Sequence, residues 1–327
     1  MDIVSIKNNL GESWTAVTEC MKSTLGSDIS LLNAVNESIL SHSGKQLRPM
    51  LALMFAKACS GGEVSEATIR YAASVELLHN ATLLHDDVAD NSDQRRGVPT
   101  LKSFMGSSVA VLVGDYWLVK SLDIILRDNP KDSRVMKMVS KTLGDLAEGE
   151  VLQLQKAQKC DTDEKDYLRI IYSKTASLFE ASCVSAVLSV SDSEEHLKAA
   201  RDYAIALGTA FQIKDDILDY EGTESVGKPL GVDILEQKIT IPLLGAMKNA
   251  GPDQEARIRL LVQDIAGHPE NKDEVVAFVK ANGGLEYAVA ELDRYVDIAV
   301  KALEVLPDSY ERKCLEELAY FTAKRNN

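Results

Sequence analysis

Long proline-free segments constrain this chain more than any other feature. Its eight prolines (Pro49, Pro99, Pro130, Pro229, Pro242, Pro252, Pro269 and Pro307) mostly punctuate, and a proline inside a helix removes a hydrogen bond and clashes with the preceding turn. Between them, residues 49–91, 131–160, 164–190, 194–220, 273–304 and 308–325 carry apolar residues at threes and fours, which is the helical period. Strand-type alternation is absent apart from VAVLV at 109–113. That piece runs into GDYWLVKSLDIIL with a helical period and is read as part of a buried helix. The linkers are short: SGGE at 60–63, NSDQRRGVP at 91–99, EGTESVGKPLG at 221–231, NAGPD at 249–253 and AGHPEN at 266–271. With no repeat and no break in composition, the pattern predicts an all-α fold in one domain, residues 1–327. Segments 74–85 and 203–213 are apolar on nearly every face and read as central helices.

Charge narrows the partners. Lys and Arg number 36 against 50 Asp and Glu, a net charge of −14, the opposite of the basic surplus that nucleic-acid binding requires. Any phosphate handling must be local. No run approaches the length of a membrane span, and the start MDIVSIKNNLGES has neither a basic nor an apolar leader segment. The five cysteines are scattered and never form C-x-x-C, so a soluble chain in a reducing cytoplasm is expected.

The chemistry enters at LLHDDVAD, where Asp86, Asp87 and Asp90 make a D-D-x-x-D pattern, repeated by Asp215, Asp216 and Asp219 in FQIKDDILD. Positions four apart share a helix face, so Asp86 stands one turn from Asp90 and Asp215 one turn from Asp219. Paired carboxylates in an apolar helix repel unless a cation compensates them, and all-oxygen ligands select a hard ion such as Mg²⁺ or Mn²⁺. A single such pattern is equally well a solvated helix end; two with identical spacing, each after an apolar run, favour the ion. Neither segment has the alternating ligands and central glycine of a calcium loop. His79 and His85, six residues apart, cannot clasp one zinc ion.

Cations stand beside these motifs. Arg95 and Arg96 follow Asp90 closely, and Lys45 and Arg48 lie in HSGKQLRP, a small-residue turn leading into a helix whose N-terminus favours an anion. Lys228 and Lys238 follow the second cluster, and Lys174 and Thr175 open an apolar helix. His79 lies two turns before Asp86 on roughly the same face, and Gln212 one turn before Asp215. Singly, each reads as a surface charge or a satisfied core polar group; together they suit a Mg²⁺–diphosphate.

GKQLRPM, ELLHNATLLHDDVADNSDQRRG, GEVLQL, YSKTASLFEAS, GTAFQIKDDILDY and GKPLGVDILEQKITIPLL appear in the order and spacing of trans-isoprenyl diphosphate synthases, over residues 40 to 245. Within that family the chain most resembles bacterial octaprenyl-type long-chain synthases. The resemblance implies an all-helical isoprenoid-synthase fold around a central cavity, usually homodimeric. By it, Asp86 and Asp90, with Asp87 nearby, hold Mg²⁺ on the allylic diphosphate, and Asp215 with Asp219, next to Asp216, complete a three-metal cluster. Arg95, Lys174, Thr175, Gln212, Lys228 and Lys238 contact the allylic substrate or its metals, and Lys45, Arg48, His79 and Arg96 hold isopentenyl diphosphate. The family's first glycine in G-G-K-x-x-R-P is Ser43 here. A C-terminal basic residue that closes over substrate corresponds to Arg325. The implied reaction ionises the allylic diphosphate, adds isopentenyl diphosphate head-to-tail and loses a proton, with no protein nucleophile. Contact with membranes is at most peripheral, for release of a greasy product.

The product should grow along the helix N-terminal to Asp86. Ala81 and Thr82 are small where short-chain members of the family carry bulky aromatics. Below them come Leu78, Val75 and Tyr71, the last about 22 Å from Asp86 by helix rise. The floor is expected near Tyr71, or at Ile125 and Val139, and the resemblance implies a product of roughly C30 to C50, suited to a quinone side chain, with a C20 product as the alternative. A terpene cyclase would be richer in aromatics than 6% and would lack the second D-D-x-x-D. A non-catalytic partner subunit would lack one of the two motifs.

Overall fold

The computed structural model describes residues 3–42, 44–95, 97–127, 133–221 and 231–325. Among these residues it is almost wholly helical, as expected, and it divides into two compact units.

The first unit comprises Met1–Ser140, Glu180–Ala200 and Val305–Leu315. It holds α1 (Ile3–Thr24), α2 (Ser30–Ser41), α3 (Leu47–Ser60), α4 (Glu66–Ala89), a hairpin of β1 (Gln94–Arg95) and β2 (Val98–Pro99), α5 (Leu101–Met105) and α6 (Ser107–Leu126). The turn residues of 91–99 predict a plain linker; instead β1 and β2 pair antiparallel there, and Gly97 before β2 adopts φ +77°. α4 starts with a capping box: Ser65 Oγ accepts from the Thr68 amide at 3.0 Å, and Thr68 Oγ1 accepts from the Ser65 amide at 3.2 Å. Its middle is buried on almost every side, as the unbroken apolar character of 74–85 predicts. It packs on α6, α3 and α1. Ser74 Oγ satisfies itself on the Ser121 carbonyl at 2.7 Å, and Trp117 Nε1 donates to Asn36 Oδ1 at 2.8 Å. VAVLV is helical, within α6, but only one side of that helix is buried: Leu112 is 67% exposed.

The second unit comprises Lys141–Phe179, Arg201–Glu304 and Glu316–Asn327. α7 (Arg134–Lys159), α9 (Ser177–Leu188), α10 (Glu194–Glu221) and α16 (Tyr310–Lys324) each run through a unit boundary. Between them lie α8 (Glu164–Ile171), a π-helical turn (Tyr172–Ala176), α11 (Val232–Leu235), α12 (Ile241–Ala250), α13 (Pro252–Gln263), α14 (Asn271–Ala281) and α15 (Gly284–Ala302). The single helix predicted over 273–304 is two helices, because Gly283 adopts φ +67° and breaks the run. A side chain on Gly284 would meet the Pro242 carbonyl at 2.2 Å, so α15 starts pressed against α12.

Candidate active site

In the first unit, Asp86 and Asp90 sit at the C-terminal end of α4, with Asp90 as its C-cap. Asp86 is half-buried and Asp90 exposed. The carbonyl end of a helix carries partial negative charge, so carboxylates there are unfavourable alone and favourable around a cation. Asp87 points elsewhere. Its carboxylate is buried and accepts from Arg95 Nε at 2.8 Å. Both residues border a largely apolar cavity of about 490 Å³ between α2, α4, the hairpin and α5.

His79 and Thr82 are half-buried on the Asp86 side of α4, and Thr82 Oγ1 donates to the His79 carbonyl at 2.8 Å. Val75, Leu78, Ala81 and Tyr71 are buried. Ala81 shares a face with Ser74 and His85, which both touch α6. Lys45 is exposed and Arg48 half-buried in the first turn of α3, whose cap Gln46 adopts the left-handed φ +53°. Arg96, Lys228 and Ser43 lie outside the described residues.

In the second unit, Asp215, Asp216 and Asp219 occupy the last turns of α10, again at a helix C-terminus. Asp215 Oδ1 pairs with Arg325 Nη2 at 2.9 Å. That guanidinium also stacks on the Phe211 ring at 3.8 Å and donates to the Phe211 carbonyl at 2.7 Å. Asp216 is buried, accepting from Tyr167 Oη at 2.6 Å and Gln212 Nε2 at 3.0 Å. Asp219 accepts from the Val232 and Asp233 amides at 3.0 and 3.2 Å. Burial is the main cause that raises the carboxyl pKa of Asp216 well above the ordinary range and also raises that of Asp219. Asp233 is pushed up to about 6 by burial and then by the Asp219 charge. A cluster of acids that resists ionisation in isolation suits a bound cation.

Lys174 and Thr175 lie in the π-turn, a feature that often marks a functional position. Glycines on either side admit the turn. A Cβ on Gly149 of α7 would stand 2.5 Å from Ser173 Cβ, and one on Gly208 of α10 2.6 Å from Ala176 Cα. Lys174 Nζ pairs with Glu150 Oε2 at 2.5 Å, and Thr175 Oγ1 donates to Gln212 Oε1 at 3.1 Å. Lys238 pairs with Glu236. Lys174, Gln212, Asp216 and Lys238 together line a cavity of about 140 Å³, joined by Tyr167 and Asp233. Sequence reasoning missed Tyr167, Asp233 and Glu150. Glu150 lay inside the GEVLQL segment and Asp233 inside GKPLGVDILEQK, whereas nothing local distinguishes Tyr167.

Among the described residues no three His, Cys, Asp or Glu side chains converge as a ready-made metal cage. Mg²⁺ does not need one, because it keeps waters and takes one or two carboxylates together with substrate phosphates. The oxygen-only donors at both helix ends fit such an ion.

The family model for polyprenyl synthetases matches residues 29–279. The chain belongs to the polyprenyl synthetase family. This polyprenyl synthetase is 37% identical to the octaprenyl diphosphate synthase of Escherichia coli over 327 residues, all of both chains. It is 32% identical to heptaprenyl diphosphate synthase component 2 of Geobacillus stearothermophilus, again over the whole of both. Among solved structures it is similar to a decaprenyl diphosphate synthase from Rhodobacter capsulatus, with TM-score 0.91 and 34% identity over all of both chains. It is also similar to a polyprenyl synthase from Caulobacter crescentus complexed with calcium and isoprenyl diphosphate, with TM-score 0.88, 31% identity and 100% and 98% of the two chains covered. The resemblance read from the motifs is thereby established, together with the isoprenoid-synthase fold and prenyltransferase class.

Proposed function

We propose that the protein condenses isopentenyl diphosphate head-to-tail with a farnesyl- or geranylgeranyl-type allylic diphosphate, giving a long-chain all-trans polyprenyl diphosphate of roughly C30 to C50. The observation that carries this reading is the ending of two long helices, α4 and α10, in D-D-x-x-D at their negative poles. The long-chain names of its full-length relatives support the product class.

Asp86, Asp90, Asp215 and Asp219 would hold the ions, taken as three Mg²⁺ with Mn²⁺ able to substitute. Bound Mg²⁺ supplies the charge that stabilises the departing diphosphate. Lys174, Arg95, Lys228 and Lys238 neutralise the allylic diphosphate, and Arg96 joins the residues that bind isopentenyl diphosphate. Lys45 and Arg48, beside the N-terminus of α3, bind the diphosphate of isopentenyl diphosphate together with His79. No side chain acts as nucleophile; the released diphosphate takes the proton.

A homodimer fits the exposed face of α6, where Leu112, Val119 and Leu126 recur every seven residues at 67%, 53% and 49% exposure. The uninterrupted family match over 29–279 supports a single synthetase domain. Among the described residues no helix is long and apolar enough to cross a membrane, consistent with a cytoplasmic enzyme whose membrane contact is peripheral. Transfer of labelled isopentenyl diphosphate onto farnesyl diphosphate, dependent on Mg²⁺ and lost in Asp86→Ala, tests the assignment. Retained transfer in that variant would contradict it.

A further inference from the structure

The three aspartates of the second motif have three different surroundings, and those of Asp216 are entirely protein. Asp216 is 2% exposed, and each of its carboxylate oxygens already has a donor: Tyr167 Oη at 2.6 Å on Oδ2 and Gln212 Nε2 at 3.0 Å on Oδ1. Gln212 is itself oriented, because its Oε1 accepts from Thr175 Oγ1 at 3.1 Å. The hydroxyl from α8 and the Gln212 amide therefore meet on one carboxylate, and the π-turn hydroxyl holds that amide from its other end. Tyr167 is also well fixed at its own end. It is 3% exposed, and its amide donates to the Asp163 carbonyl at 2.9 Å behind the Asp163–Asp166 capping box.

On a helix, residue 216 points about 100° away from residue 215, whereas 215 and 219 lie within about 40° of one another. Holding the carboxylate of 216 against α8 thus sets the rotation of the end of α10, and with it the direction in which 215 and 219 face. We infer that Tyr167 is a positioning residue. Its hydroxyl, with Gln212 and Thr175, anchors Asp216 as a protein-facing carboxylate so that Asp215 and Asp219 present their oxygens to the divalent ion. Asp216 then contributes orientation and is no ligand itself. Through Thr175 the same anchor ties the π-turn that carries Lys174 to the aspartate helix. This inference rests on the prenyl-transfer reading for its consequence, but its geometry does not depend on which allylic diphosphate is used.

The test titrates full-length protein with Mn²⁺ in the presence of inorganic pyrophosphate, followed by the electron paramagnetic resonance of the free ion, with melting temperature recorded in parallel. Tyr167→Phe deletes only the hydroxyl and should raise the half-saturating Mn²⁺ concentration about ten-fold, the scale on which groups that orient metal ligands act. Asp216→Asn keeps an acceptor for Tyr167, and a flipped Gln212 amide can meet the new amide, so it should move Mn²⁺ binding far less than Tyr167→Phe does. Asp216→Leu should match Tyr167→Phe, and combining the two should add nothing. A Tyr167→Phe variant that melts lower but binds Mn²⁺ as the parent does overturns the inference, as does Asp216→Asn losing Mn²⁺ binding outright. If Tyr167→Phe does not fold, Gln212→Met removes the other donor and is judged by the same two criteria. Absence of prenyl transfer by the parent protein would sink the functional reading while leaving the Mn²⁺ titration interpretable.

Discussion

Gly208 of α10 packs against Ala176, the last residue of the π-turn, so closely that a Cβ on Gly208 would stand 2.6 Å from Ala176 Cα and 2.8 Å from its Cβ. Backbone cannot yield as a flexible side chain does. Gly208→Ala should therefore push the π-turn off the aspartate helix, costing about 1–3 kcal/mol of stability. Turnover should also fall, because Lys174 moves with the turn. Thermal denaturation and turnover assayed well below the melting point check this; an unchanged melting temperature would remove the packing argument.

Arg325 serves Asp215 as a built-in counter-ion, with 7% of its side chain exposed against 44% for its partner. Arg325→Gln should lower the stability of the metal-free protein by about 1–2 kcal/mol, the scale of a charged hydrogen bond at a half-exposed acceptor. The deficit should shrink once Mg²⁺ and pyrophosphate are present, because the ion then neutralises Asp215. Melting curves with and without these ligands measure it, and an equal deficit in both would contradict the counter-ion role.

Asp233 supplies a pH dependence. Its carboxyl is pushed up to about 6 from 3.8, so between those values the folded protein binds a proton that the unfolded chain has released. This contribution to stability is full at acid pH and is lost as the pH rises through 6. Asp233→Asn should flatten the decline and raise the stability of the metal-free protein at neutral pH by a few kcal/mol at most, about 1.4 per pKa unit. Denaturant midpoints at pH 4.5 and 7.5 decide it; a decline of unchanged size in the variant would rule Asp233 out as the cause.

Much of this was legible in the amino-acid sequence because helical period and paired aspartates are local signals. Two D-D-x-x-D patterns mark the ends of α4 and α10 without any knowledge of packing. The anchor at Asp216 was not legible, since Tyr167 lies 49 residues away in sequence and only the fold brings its hydroxyl to that carboxylate. Nor was the break before α15, because the helical period continues across Gly283 and only its positive φ ends the helix. The outward face of α6 misled in the opposite direction: an apolar run reads as buried on every side, whereas Leu112, Val119 and Leu126 are exposed.

Thr82, half-buried one turn before Asp86, tests the path of the growing chain. Thr82→Phe should shorten the product while leaving the first condensations intact, as read by chromatography of the dephosphorylated alcohols. An unchanged distribution would take Thr82 out of the tunnel wall.

Product length tests the central claim most directly. Purified protein incubated with farnesyl and isopentenyl diphosphates and Mg²⁺ should accumulate all-trans polyprenyl diphosphates of roughly C30 to C50, the range that the long-chain names of its full-length relatives support. Arrest at C20, or release of cyclic hydrocarbons, would contradict it.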